Sequence, residues 1–191
     1  MKQLAKLLFI LITHFFMNGQ ELTFPFQDNT LDPEARVLDL IGRMTLEEKV
    51  GQTCQITLDV ILAVDVNNKP LVPLKIDTVK LAEAINKYKV GSMLNVSSHT
   101  LSLAEWKTVF EAVNTPFLNG DMDIPILYGI DAIHGVNYTK NATLFPQEIG
   151  LAATWNRSLA RQFGEVTAYE TRASGIRWNF SPVLDVGRQP L

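Results

Sequence analysis

Asp131 and Asp185 each close an apolar run, IPILYGID and FSPVLD, and so fall at the carboxyl end of an expected strand. Parallel α/β architectures gather their ligands there. A carboxylate so placed can accept hydrogen bonds from sugar hydroxyls, act as a general acid or base, or cap the loop that follows. The setting of Asp131 is dense, because Tyr128, Gly129, His134, Gly135, Asn137 and Tyr138 share with it a window of eleven residues. Polar side chains beside aromatic rings suit carbohydrate recognition, in which hydroxyls are ligated and the sugar face packs on a ring. His134 can serve as a base or be tied into its loop by hydrogen bonds.

Other chemistries lack their residues. No G-x-S-x-G elbow accompanies Asp131 and His134, so a Ser-His-Asp triad is not legible, and no glycine-rich phosphate loop is present. Cys54 is the only cysteine, which excludes an internal disulfide framework and Cys-rich metal sites; its apolar neighbours predict a packed, inert thiol. The three histidines, at positions 14, 99 and 134, have no metal-ligand spacing, and the calcium-like Asp65 and Asn67 lack the glycine and terminal glutamate of a calcium loop. No metal and no cofactor is expected. The formal charge is −3 and the basic residues are scattered, which argues against a nucleic-acid surface.

These residues need strands and helices to position them. Asp32 and Pro33 read as an N-cap and first helical residue, with Val37, Leu38, Leu40, Ile41 and Met44 as the apolar stripe that follows. Thr45 and Glu48 have capping-box spacing. Segment 54–76 predicts short strands around an Asn67-Asn68-Lys69-Pro70 turn. Helical periodicity over 77–89 and 102–119 alternates with apolar runs at 90–96 and 124–130, and a helix at 159–172 precedes a strand starting at Ile176. Such alternation predicts parallel βαβ units, hence an α/β barrel or a doubly wound sheet. Three or four units fit into 191 residues, whereas a closed eight-stranded barrel takes roughly 250. The expectation is the front part of a larger catalytic domain.

At the amino terminus Lys2 and Lys6 precede the apolar run at 7–16, LLFILITHFF, which has the length of a signal-peptide core and is too short to span a bilayer. Residues 1–19 are read as a signal peptide and 20–31 as a polar lead, so the protein is expected to be exported to a periplasm or outside the cell, without a membrane anchor. Asn-x-Ser/Thr acceptors stand at Asn95, Asn137, Asn141 and Asn156 and matter only in a glycosylating host.

Three words carry a likeness to a known family: MTLEEKVGQ (44–52), IPILYGIDAIHGVNYTKNATLFPQEIGLAATWN (124–156) and ETRASGIRWNFSPVLDVGR (170–188). They resemble the amino-terminal barrel of the glycoside hydrolase family 3 β-glucosidases over residues 32–191. The resemblance implies an α/β fold that is the first part of a (β/α)8 barrel. It also implies a retaining, exo-acting hydrolase of terminal β-D-glucosyl residues of oligosaccharides or β-glucans, working through a covalent glycosyl–enzyme intermediate between two carboxyl groups. The family's nucleophile, its acid/base glutamate and its Lys-His sugar-binding pair have no counterpart here, so no catalytic residue is assigned and the rest of the barrel and a second domain are expected elsewhere.

By the same resemblance Asp131 binds hydroxyls of the terminal sugar, while His134 and Asp185 support the site. Trp178 is expected to fill the barrel, and Arg188 precedes the family's sugar-binding arginine and receives no role. Two branches of the family stay open: β-xylosidases, and N-acetylglucosaminidases, which carry a D-x-E-G-G-type word where this chain has D-A-I-H-G. A non-catalytic carbohydrate-binding or remnant barrel protein is the reading from another class.

Overall fold

A computed structural model describes residues 24–96, 99–115 and 124–184. Residues 1–19, read above as a signal peptide, Asp185 and Arg188 lie outside the described residues. By its contacts the chain divides into two units, Met1–Met44 and Thr45–Leu191.

In the first unit helix α1 (Pro33–Arg43) starts as its sequence dictates: the Asp32 carboxylate accepts from the N–H groups of Glu34 and Ala35, and Pro33 occupies a position whose N–H has no helical partner. The preceding lead folds onto it. Phe26 N–H donates to Asp39 at 3.1 Å, Arg36 Nε donates to the Phe26 carbonyl at 2.8 Å, and the Arg43 guanidinium lies 4.4 Å from the centre of the Phe24 ring. None of the α1 residues is buried, so the stripe through Val37, Leu38 and Ile41 is not a core face among the described residues.

The second unit alternates as the sequence predicts. Helix α2 (Leu46–Gln52) opens with a reciprocal Thr45–Glu48 capping box and leads into strand β1 (Gln55–Thr57) and a 3-10 turn, Leu58–Ile61. An excursion follows, with antiparallel bridges Leu62–Ile76 and Val64–Pro70 flanking Asn68, whose φ is 61°. Helix α3 (Thr78–Ala82), capped by Asp77, runs on into a π turn, Glu83–Lys87, before strand β2 (Ser92–Leu94). Helix α4 (Leu103–Val113), strand β3 (Leu127–Ile130), helices α5 (Glu148–Ala153) and α6 (Arg157–Ala173), and strand β4 (Trp178–Asn179) follow among the described residues. The strands are shorter than the apolar runs containing them, because only the central residues pair and the flanks turn into loops.

Among the described residues the sheet's strand pairings are parallel, and the strand order follows the chain, β1-β2-β3-β4. The order shows no reversal, whereas a doubly wound sheet reverses at its switch point. Register sets the two faces. Ile56, Met93 and Tyr128 stand side by side, one residue out of phase with Gln55, Ser92 and Leu127. The first row meets the helices, where Trp106, Val109 and Val113 of α4, Leu81 of α3, and Leu58 and Ile61 of the 3-10 turn close over it in one core.

Cys54 departs from expectation, since it is exposed. It sits in the turn that closes α2, its N–H donating to the Gly51 carbonyl at 2.9 Å. That turn precedes the pleat of β1, and Thr53 and Gln55 on either side of Cys54 are exposed with it.

Candidate functional site

Asp131 is the first residue past β3, and Asn95 the first past β2. Parallel pairing of Leu94 with Gly129 sets Asn95 level with Ile130, one residue short of Asp131, and brings the two side chains together. Asn95 Nδ2 donates to Asp131 Oδ2 at 2.7 Å, and the Asp131 N–H donates to Asn95 Oδ1 at 2.8 Å. Asn95 itself has φ 46°, left-handed backbone that asparagine tolerates better than most residues. Its N–H donates to the Gly129 carbonyl at 3.0 Å, and its carbonyl accepts the Tyr128 hydroxyl at 2.7 Å.

The Tyr128 ring is held edge-on by Trp106 and Phe110, at 5.5 and 5.4 Å between centres. Burial, and then the nearby Asp59 charge, push its phenol far above the ordinary range, so it stays protonated as a donor. One strand further on, Asn179 Oδ1 accepts from Ala132 N–H at 3.1 Å and from Ser181 N–H at 3.2 Å. Three consecutive strand ends are thereby tied together by two asparagines and one aspartate.

The loop after Asp131 is fixed from below. Gly135 has φ +90°, and a Cβ there would collide with the Thr143 carbonyl oxygen, so only glycine fits. The His134 carbonyl accepts from Phe145 N–H at 2.8 Å. Trp106 Nε1 donates to Thr139 Oγ1 at 2.8 Å, Thr139 Oγ1 lies 2.9 Å from Ser174 Oγ, and Ser174 Oγ donates to the Glu170 carbonyl at 2.9 Å. Each hydroxyl has one proton, so Thr139 must be the donor to Ser174. The Glu170 carboxylate accepts from both Thr143 N–H and Thr143 Oγ1, at 2.9 and 2.8 Å.

Of the residues read from the sequence as site members, Asp131 stands at the junction of the strand ends. His134 is half-buried in the same loop and joins the framework through its backbone carbonyl. Tyr138 lies close enough for the Asp131 charge to act on it: burial first and that charge second raise its phenol above the usual range, against a lowering contact from Asn137. Trp178 is half-buried opposite Gly129, its ring 4.4 Å from that of Phe180, on the face of the sheet away from the helices. Glu170 of α6 supports the loop through its two bonds from Thr143. Asn95 and Asn179 are site residues that the sequence does not single out; the one available signal is an asparagine directly after an apolar run, and its spacing marks Asn95 only as a glycosylation acceptor.

An apolar groove of about 700 Å³ lies between α5, α6 and residues 179–184, lined by Leu151, Trp155, Phe163 and Pro182 among others, and Asp131 does not line it. Among the described residues no three His, Cys, Asp or Glu side chains gather as a metal site would require, and no helix is long and apolar enough to cross a membrane.

Comparison with known proteins gives a consistent set of likenesses. The family model described as the glycosyl hydrolase family 3 N terminal domain matches residues 45–191. A lysosomal beta glucosidase of Dictyostelium discoideum is 36% identical over 162 residues, which are 80% of this chain and 19% of that protein. A periplasmic beta-glucosidase of Salmonella typhimurium is 29% identical over 170 residues, 86% of this chain and 19% of that protein. The solved structure of a Listeria innocua beta-glucosidase in complex with isofagomine superimposes with a TM-score of 0.55 and 28% identity, covering 84% of this chain and 19% of that one. The chain thus spans about a fifth of the length of each of these proteins.

Proposed function

The chain belongs to glycosyl hydrolase family 3, and on that premise we propose that it forms the sugar-holding front of an exported glycoside hydrolase acting on terminal non-reducing β-D-glucosyl residues. The reaction is a retaining double displacement, with the nucleophile and the acid/base supplied by parts of the protein outside these residues. Residues 1–19 are the export signal and residues 32–191 the first βα units of the barrel. The names of the relatives, one lysosomal and one periplasmic, support passage out of the cytosol.

One observation carries the reading: a carboxylate stands at the ends of parallel strands, and among the described residues one of its oxygens accepts from Asn95 Nδ2. A carboxylate offers about four acceptor positions, so Asp131 keeps capacity for hydroxyls of a bound sugar. Ionised acceptors make the stronger hydrogen bonds. Those bonds aid the reaction to the extent that they tighten as the sugar ring distorts toward the oxocarbenium-like transition state. Asp131 holds the ring, His134 and Asp185 support the loops around it, and the bond is broken by carboxyl groups elsewhere.

The test is Asp131→Ala in the protein that carries this chain, assayed on aryl β-glucoside, β-xyloside and N-acetyl-β-glucosaminide. The glucoside should be the preferred substrate, and its kcat/KM should fall by about 2–4 kcal/mol of transition-state binding, roughly 30- to 1,000-fold. An unchanged kcat/KM removes Asp131 from the site; preference for either other glycoside moves the protein to another branch of the family.

A further inference from the structure

We propose that Asn95 is the positioning residue of this site: it fixes the orientation of the Asp131 carboxylate and thereby the acceptor geometry the sugar meets. The inference rests on the reading of Asp131 as the sugar-holding group and adds to it a second residue, from a different strand.

The amide does two things at once. Its NH2 group donates to the carboxylate and its oxygen accepts from the backbone N–H of the same aspartate, at 2.7 and 2.8 Å. The orientation of the amide is forced, because a backbone N–H can only donate and an ionised carboxylate can only accept. Side chain and main chain of Asp131 are thus gripped together, and the carboxylate cannot rotate without losing a charge-assisted hydrogen bond.

The gripping residue is held in its turn. Left-handed backbone at Asn95 directs its side chain across to β3, and that backbone is clamped on both sides by β3: the N–H by the Gly129 carbonyl, and the carbonyl by the Tyr128 hydroxyl. Tyr128 is 4% exposed and packed between Trp106 and Phe110. A rigid line therefore runs from the core through Tyr128 and Asn95 to Asp131. Such support from a neighbouring shell is what keeps a polar group in one rotamer before substrate arrives.

A double-mutant cycle separates positioning from bulk structure. In the protein that carries this chain, Asn95→Ala should lower kcat/KM for the aryl β-glucoside about 10- to 50-fold, and should change it less than about 2-fold when Asp131 is already alanine. A residue that only stabilises the fold lowers both backgrounds equally. Asn95→Asp is the second variant, since aspartate tolerates the left-handed backbone and can still accept from the Asp131 N–H. It sets one carboxylate against another, and its loss should at least equal that of Asn95→Ala. Equal losses in both backgrounds, or a fully active Asn95→Asp protein, overturn the positioning role while leaving Asp131 as the sugar ligand. An Asp131→Ala protein with unchanged kcat/KM overturns the underlying reading and this inference with it.

Discussion

On the helix side of the sheet Met93, Tyr128 and Ile130 are 0, 4 and 0% exposed, whereas Leu127, one residue from Tyr128 on the same strand, is 49% exposed. Gln55 and Thr57, which flank Ile56, are exposed as well. The alternation is the ordinary consequence of a two-residue pleat. Its content differs between the faces: the helix side is aliphatic and aromatic, while the other carries Gln55, Thr57, Ser92, Gly129 and Trp178 beside Leu94 and Leu127. Gln55 Nε2 even donates to Ser92 Oγ across that second face. The hydrophobic free energy of these residues is concentrated on one side, and Asp131 is aimed by what is anchored there.

The sharpest way to break this asymmetry is to hollow the helix side. Trp106→Ala removes a fully buried ring and the Nε1–H donor to the Thr139 hydroxyl, and should cost about 3–5 kcal/mol. Leu127→Ala on the other face should stay within about 0.5 kcal/mol. Urea denaturation of the two variants checks the contrast, and equal losses would abolish it.

A middle-sized effect is expected where the buried side rises into the loop over the sheet. Gly135→Ala puts a Cβ against the Thr143 carbonyl in a backbone conformation that alanine avoids, and should lower stability by about 2 kcal/mol. Gly164 is the control, because a Cβ added there would meet no atom within 4 Å. It lies inside α6, where Gly164→Ala should be stabilising by up to about 1 kcal/mol. Thermal unfolding of the two variants reads the difference, and a Gly135→Ala protein as stable as its parent would free the loop from this constraint.

The smallest effect concerns the rim of α4. The Glu105 carboxyl is held down to about 2, from an ordinary 4.5, first by the Ser102 N–H, against the cost of desolvation, and further by the Ser102 hydroxyl and Lys140. A folded-state value below the unfolded one means stability that is present above pH 4.5 and lost as pH falls from there toward 2. The group is near the surface, so the contribution is about 1 kcal/mol after solvent screening. Glu105→Gln should flatten the acid limb of stability between those two pH values. A limb as steep as the wild type's would assign acid lability to other carboxylates.

Helix starts were legible because capping is local. Asp32, Thr45, Asp77 and Ser102 each bind N–H groups two or three residues ahead, so their spacing is written in the chain, whereas the helix read from 159 begins at Arg157 under an Asn156 cap. The Trp106, Val109 and Val113 face of α4 was legible from its periodicity for the same reason, although Leu103 at its start is 54% exposed. Cys54 misled because it sits in the turn between α2 and β1, flanked by Thr53 and Gln55, rather than within the pleated strand.

The sequence by itself determined the alternation of helices and parallel strands, the family words and the placement of Asp131 at a strand end, all of which rest on residues near one another along the chain. Only the tertiary structure decided what holds Asp131. Asn95 lies 36 residues away, and it reaches the carboxylate because β2 and β3 pair in one register, Leu94 against Gly129. A slip of β2 by one residue would turn the Asn95 side chain to the other face of the sheet. The register itself is fixed by Met93 and Tyr128 seeking the same core, a cooperative outcome of packing that local spacing does not encode.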